Sequence, residues 1–315
     1  MYLRLSVTDA CDFRCWYCRP VGSGPVPAAG PPLGREAILA LISALHRAAP
    51  LSKIRLTGGE PLLRPDLEEI VEALRALVPE AELTLTTNGS GLELRATGLR
   101  AAGLDRINVS LDSVDPARFA EITGRDALEK VKRGVLAARA AGFAPPKLNA
   151  VLLRHGAGAE MGALLDFAAS QGSELRFIEL MPFGPAKARF QTEFLPMAEA
   201  LDRLRKAGGY LGPLPSSATA QRHLFQRHSG EVVVGFIPSV TEPFCARCDR
   251  LRLDARGRLF PCLRRERGLD LTPLLPAAGQ PLDEAAFAEA VHGMLAAKGL
   301  PDHHWPARSL AGIGG

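Results

Sequence analysis

Along the chain as far as Leu180, short apolar runs alternate with longer stretches in which apolar residues recur every three or four positions. Residues 3–7, 54–57, 83–87, 107–111, 147–153 and 175–180 have the length and apolar content of strands. Helical periodicity falls between them, near 35–49, 66–77, 92–102, 127–141 and 160–171. In the first of these, Ile38, Leu41, Ile42 and Leu45 share one face, which marks them as core. Regular alternation of strand and helix predicts an α/β fold with a parallel sheet, and six such units predict an incomplete (βα)6 barrel of the TIM type.

Two stretches break the pattern. Pro and Gly crowd residues 20–34, where a loop without regular structure is expected. A second break at residues 182–185 places the end of the barrel, dividing the chain into a domain at 1–182 and a C-terminal α+β region at 183–315. That region predicts a helix near 197–207, antiparallel strands near 223–226 and 232–237, and a helix near 283–298. No internal repeat is visible.

At 315 residues the chain is long enough for one large domain with an appendage. Its formal net charge of +4 is too small to predict nucleic-acid binding, but a local basic cluster can still hold a phosphorylated small molecule. The chain shows no charged, apolar leader and no run of about 18 apolar residues, so a soluble cytoplasmic protein without a membrane partner is expected. In a reducing compartment its six cysteines read as ligands rather than disulfides, and they fall into two sets of three.

Cys11, Cys15 and Cys18 stand as C-x3-C-x2-C directly behind the first predicted strand. Three cysteines can hold a 4Fe–4S cube and leave one iron open to a small molecule. A structural zinc site is the competing reading, but it prefers four ligands, and no histidine lies nearby. Cys245, Cys248 and Cys262 form the second set, C-x2-C-x13-C, with Asp249 and His228 as the candidates for a fourth ligand. A zinc ribbon would need a second C-x2-C there.

Polar residues gather where predicted strands end, the place where parallel barrels carry their chemistry. Thr57-Gly58-Gly59-Glu60-Pro61 is either a turn or a site where glycines let the backbone approach a ligand. Thr86 to Gly89, Asn108 to Asp112 and Lys147 to Asn149 add an inward polar ring. Arg4, Arg55 and Arg176 fall on strands where alternation points them into the barrel. Buried cations need an anion. Arg forks match a triphosphate, and internal salt bridges to Glu60, Asp112 or Glu179 are the alternative.

The cluster motif with its flanks, Ser6-Val7-Thr8-Asp9 and Asp12 to Cys18, the Gly-Gly-Glu-Pro segment, and the second triad followed by Arg250-Leu-Arg252 resemble the radical S-adenosylmethionine (SAM) GTP 3′,8-cyclases of molybdenum cofactor biosynthesis. The resemblance runs from Tyr2 to Gly315. It implies two 4Fe–4S clusters on the six cysteines, SAM as cofactor and GTP as substrate. It assigns Tyr17, Gly59, Asn88, Ser110 and Met181 to SAM, and Arg4, Lys53, Arg55, Thr86, Lys147, Arg176, Arg250, Leu251 and Arg252 to GTP. It gives catalytic parts to Arg4, Arg250, Arg252 and a terminal tail of Gly314 and Gly315. An external electron donor and cyclic pyranopterin monophosphate synthase, the next enzyme of the pathway, are the implied partners, and a homodimer is left open. The chain departs from the family in starting later, in its 20–34 loop, and in having Ala10 and Arg19 where Arg and Met are frequent. Two other readings stand beside this one: a radical SAM enzyme acting on a peptide, which would not need the arginines, and an iron–sulfur or zinc nucleic-acid module, which would expose them.

Overall fold

The computed structural model describes residues 1–19, 31–216, 219–245, 248–275, 282–296, 298 and 305–306. The six expected strands are Tyr2–Ser6 (β1), Lys53–Thr57 (β2), Glu82–Thr87 (β3), Arg106–Ser110 (β4), Lys147–Leu152 (β5) and Leu175–Glu179 (β6), each parallel to the next. Between and after them run Arg35–Ala48 (α1), Leu67–Leu77 (α2), Leu92–Ala101 (α3), Pro116–Thr123 (α4), Leu128–Ala140 (α5), Ala157–Gln171 (α6), Ala186–Glu193 (α7) and Met197–Lys206 (α8). Periodicity missed α4 and α7, each of eight residues and barely two turns long. α4 is instead marked by its ends: Asp115 caps the Arg118 N–H at 2.8 Å, Pro116 follows, and Gly124 closes the helix in the left-handed region at φ 66°.

The C-terminal region does not form a separate sheet. Tyr210–Leu214 (β7), Gln221–Arg227 (β8) and Gly230–Ile237 (β9) make an antiparallel set whose last strand pairs parallel with β6. Arg250–Leu253 (β10) pairs parallel with β1 on the opposite edge and leads to antiparallel Arg258–Phe260 (β11) and Leu269–Asp270 (β12). The chain order across the sheet is therefore β12-β11-β10-β1-β2-β3-β4-β5-β6-β9-β8-β7. The division expected near residue 183 separates stretches of chain, but hydrogen bonding continues across it. Glu284–Ala296 (α9) packs beside α1.

Period-two alternation builds the site. Leu3, Leu5, Ile54, Leu56, Leu83, Leu85, Ile107, Val109 and Leu148 point outward into the helices and are buried. Each such side chain contributes about 1.5–3 kcal/mol of apolar burial, which fixes which face of each strand turns inward. The inward face is polar. Register sets Arg252, Arg4, Arg55 and Thr84 side by side across β10, β1, β2 and β3, with Arg250, Tyr2, Lys53 and Glu82 in the next row. Thr86, Asn108 and Lys147 form a third row over β3 to β5.

Candidate active site

The segment after β1 carries Cys11, Cys15 and Cys18, and hydrogen bonds tie it down from several sides. Gly59 N–H donates to the Thr8 carbonyl at 2.8 Å and Glu60 N–H to the Ala10 carbonyl at 2.7 Å. A Cβ on Gly59 would lie 2.1 Å from the Ala10 oxygen, and one on Gly58 2.2 Å from the Thr8 oxygen. The two glycines thus serve first to bring this strand end against the cysteine segment. Arg14 and Trp16 N–H donate to the Thr123 and Ile122 carbonyls at 2.8 and 3.1 Å. Asp12 accepts from Asn88 Nδ2 and Ser90 Oγ, both at 2.7 Å, and the Tyr17 hydroxyl donates to Asp112 at 2.5 Å. Trp16 is buried in a small cluster with Ile122, Leu153, Leu180 and Ala186.

All six cysteines are free thiols and line one cavity of about 640 Å³. Burial pushes the Cys11 thiol up to about 12 and Cys15 well above its usual value. Metal binding takes thiolates and displaces these protons, and three cysteines of one short segment lining the cavity are a soft-sulfur donor set of the kind that holds a cluster. On the other side, Arg264 N–H approaches Cys262 Sγ at 3.4 Å, the kind of contact that orients a ligand sulfur.

Between the two sets lies a floor of cations. Arg4, Lys53, Arg55, Lys147, Arg176, Arg250 and Arg252 all line the cavity. Arg55 donates to Thr84 Oγ1 at 3.2 Å and Thr86 Oγ1 at 3.5 Å, and the Asn108 side-chain oxygen accepts from it. Burial, with Arg4, Arg176 and Arg250 nearby, draws Arg55 down to about 10. Arg252 is held well below its usual value by burial, then by Arg4 and Arg250. A field that weakens the hold of arginines on their protons is one that an anion relieves.

The carboxylates named as the alternative partners of the arginines do other work. Glu60 accepts from Thr87, Asn88 N–H and Leu62 N–H; Asp112 from Tyr17 and Val151 N–H; Glu179 from Met197, Val240 and Thr241. Arg176 is paired instead with Glu174 at 2.7 Å, which Lys147 shares at 2.7 Å. Lys53 pairs with Glu82. These two partners sit one step before or at the start of their strands, positions at which sequence reading assigned no role.

Two models cover the chain: the Radical SAM superfamily matches residues 5–168 and Molybdenum Cofactor Synthesis C residues 173–304. The chain is 40% identical over 295 residues to GTP 3′,8-cyclase 1 of Pseudomonas aeruginosa, covering 92% of this chain and 87% of that one. It is 40% identical over 317 residues to GTP 3′,8-cyclase of Mycobacterium sp. strain KMS, covering 99% and 90%. This chain belongs to the GTP 3′,8-cyclase family of radical SAM enzymes. Among solved structures, Streptococcus suis SuiB bound to S-adenosylmethionine shares the fold, with a TM-score of 0.57 at 14% identity over 88% of this chain and 64% of that one.

For a GTP 3′,8-cyclase relative, the remaining expected residues fall as follows. Tyr17, Gly59, Asn88, Thr86, Ser110 and Met181 all line the cavity. Leu251 does not: it lies on the outward face of β10, fully buried in the apolar core, so only its backbone can reach a substrate. Gly314 and Gly315 lie outside the described residues. Asn149, of the expected polar ring, lines the cavity too, as does Arg19, noted in sequence only as a departure from the family. Sequence reading gave no role to Tyr2, Lys298 and Trp305, which also line it. Tyr2 was accessible to the same alternation that found Arg4. Lys298 and Trp305 are brought in by tertiary packing alone: Lys298 donates to the Arg250 and Pro261 carbonyls, and Trp305 lies against Phe183 and Arg264. Among the described residues no helix is long and apolar enough to cross a membrane.

Proposed function

We propose that the protein binds GTP in this cavity and, with SAM, converts it to (8S)-3′,8-cyclo-7,8-dihydroguanosine 5′-triphosphate, the first step of molybdenum cofactor biosynthesis. The supporting observation is that one cavity carries both cysteine sets with the cation floor between them. Cys11, Cys15 and Cys18 would hold one 4Fe–4S cluster, and Cys245, Cys248 and Cys262 the other. Bound there, the first cluster with SAM supplies a carbon radical able to take a ribose hydrogen, and the second an iron with a free position for the base.

The chain supplies the rest. Gly59, Asn88, Ser110, Met181 and the backbone at Tyr17 would seat SAM, with Asn88 and Tyr17 fixed by Asp12 and Asp112. Lys53, Arg55, Thr86, Lys147 and Arg176 would take the triphosphate and ribose, where guanidinium forks match phosphate oxygens. Arg4, Arg250 and Arg252, adjacent across β1 and β10, would orient the nucleotide and stabilise charge developing on the guanine as the ring closes. Leu251 would contribute through its backbone, and Gly314 and Gly315 would take the catalytic part that the resemblance gives them. Phe244 and Trp305 add apolar surface to the cavity lining, where a reactive radical would have to be kept from water. An external one-electron donor and cyclic pyranopterin monophosphate synthase would stand before and after this step.

Anaerobic reconstitution followed by incubation with reductant and SAM, with and without GTP, tests the reading. 5′-Deoxyadenosine should form in amounts that depend on GTP, together with the 3′,8-cyclic nucleotide. SAM cleavage indifferent to GTP, with no cyclic nucleotide, overturns it.

A further inference from the structure

Tyr2 has no part in the scheme above, yet it stands in the middle of the cation floor. Register sets it between Lys53 on β2 and Arg250 on β10. Lys53 Nζ lies 5.6 Å from the centroid of its ring, and the guanidinium carbons of Arg55 and Arg250 lie at 5.7 and 5.5 Å. Cations this close repel one another, while an electron-rich ring among them attracts each. Tyr2 is 9% exposed, and it lines the cavity.

We propose that Tyr2 is a positioning residue of the polyphosphate site, its ring holding Lys53 and Arg55 in a converging set that a triphosphate chain completes and joining that set to Arg250, which orients the rest of the nucleotide. This deepens the proposed function and rests on reading the floor as the triphosphate site. The charged groups around the ring all point the same way: Arg4 on its own strand, Lys53 and Arg55 from β2, and Arg250 from β10, with Glu82 on β3 already engaged by Lys53. Burial raises the phenol, but those four cations outweigh it and leave Tyr2 below its ordinary value. The three cation–ring contacts stand before any ligand arrives, so the site need not be ordered by the substrate.

The test separates ring from hydroxyl. Inorganic triphosphate is titrated calorimetrically into the anaerobic, cluster-loaded parent and the variants Tyr2→Phe and Tyr2→Leu, with Tyr2→Met as a second ringless variant should Leu impair folding. Tyr2→Phe should bind within about threefold of the parent, and the ringless variants about tenfold more weakly. Iron content and thermal midpoint should hold, and with GTP the loss should fall on KM rather than kcat. Ringless variants that bind triphosphate like the parent overturn the inference. So does a Phe variant as weak as Leu, which would assign the effect to the hydroxyl. Because triphosphate has no base or sugar, Tyr2-dependent binding in a protein that fails to cyclise GTP would refute the cyclase reading and leave this one standing.

Discussion

Glu60 is 1% exposed and accepts three hydrogen bonds, and its burial still pushes the carboxyl up to about 7. A raised carboxyl holds its proton more tightly folded than unfolded. Its contribution to stability is therefore fully present below the ordinary carboxylate range and is lost as pH rises through about 7. Glu60→Gln removes that dependence and sets an amide N–H against donors, at a cost of about 1–3 kcal/mol. Thermal melts should show the parent's advantage over the variant shrinking between about pH 5 and about pH 8. A constant difference would rule out the shift. Arg252 sits in a harsher place, 6% exposed beside Arg4 and Arg250. Arg252→Ala should leave iron content intact and slow cyclisation about a hundredfold, and Arg252→Lys should not restore it, because a point charge lacks the fork. Parent-like turnover by either variant would remove Arg252 from the reaction. The arginines were legible because strand alternation is a local rule, and Arg4 and Arg55 obey it. Glu174 was not: it stands two residues before Arg176, but its pairing with Lys147 depends on how β5 and β6 lie side by side.

Among the elements, the Gly58-Gly59 strand end was located correctly in sequence, but its closest neighbour was not foreseen. It packs on the backbone of the cysteine segment before it meets any ligand. Gly59→Ala therefore drives a Cβ into the Ala10 carbonyl and must displace one of the two chains. We expect a loss of about 1–3 kcal/mol in stability and a larger loss of SAM affinity, measured by denaturation and by equilibrium binding on the loaded protein. Unchanged SAM affinity would show that the segment tolerates the shift. The helices α4 and α7 illustrate the limit of pattern reading from the other side. Both hold the cysteine segment, α4 through the Ile122 and Thr123 carbonyls and α7 through Ala186 and Phe190 beneath Trp16. At eight residues each, they show little of the repeat that revealed α1.

For the whole molecule, the sequence foretold two cysteine sets and a parallel sheet, but not that the C-terminal region would extend that sheet on both edges. The pairing of β10 with β1 joins residues about 250 positions apart, and no local signal reports it. It places Arg250 and Arg252 beside Tyr2 and Arg4, which turns two motifs into one cavity. The reconstituted protein should hold about eight iron atoms. Replacing Cys245, Cys248 and Cys262 together by Ala should about halve that content while leaving the reductive cleavage of SAM measurable, and should stop formation of the cyclic nucleotide. A variant that still makes the cyclic product would separate the second set from the chemistry.

The same pairing bears on how the chain is made. β1 leaves the ribosome before the other described strands, and its partner on one side, β10, follows about 250 residues later. At synthesis rates of roughly 5–20 residues per second, that edge stays open for roughly 10–50 s. During this time it presents unpaired N–H and C=O groups beside the tyrosine and arginines of the future site. A nascent chain stalled before Arg250 should therefore be captured by chaperones or aggregate, where one extended past Leu253 should not. Ribosome-bound chains of graded length would show the change. The edge closes only when β10 arrives, and the second cysteine set arrives with it, so that centre can be loaded only after the six parallel strands have been made.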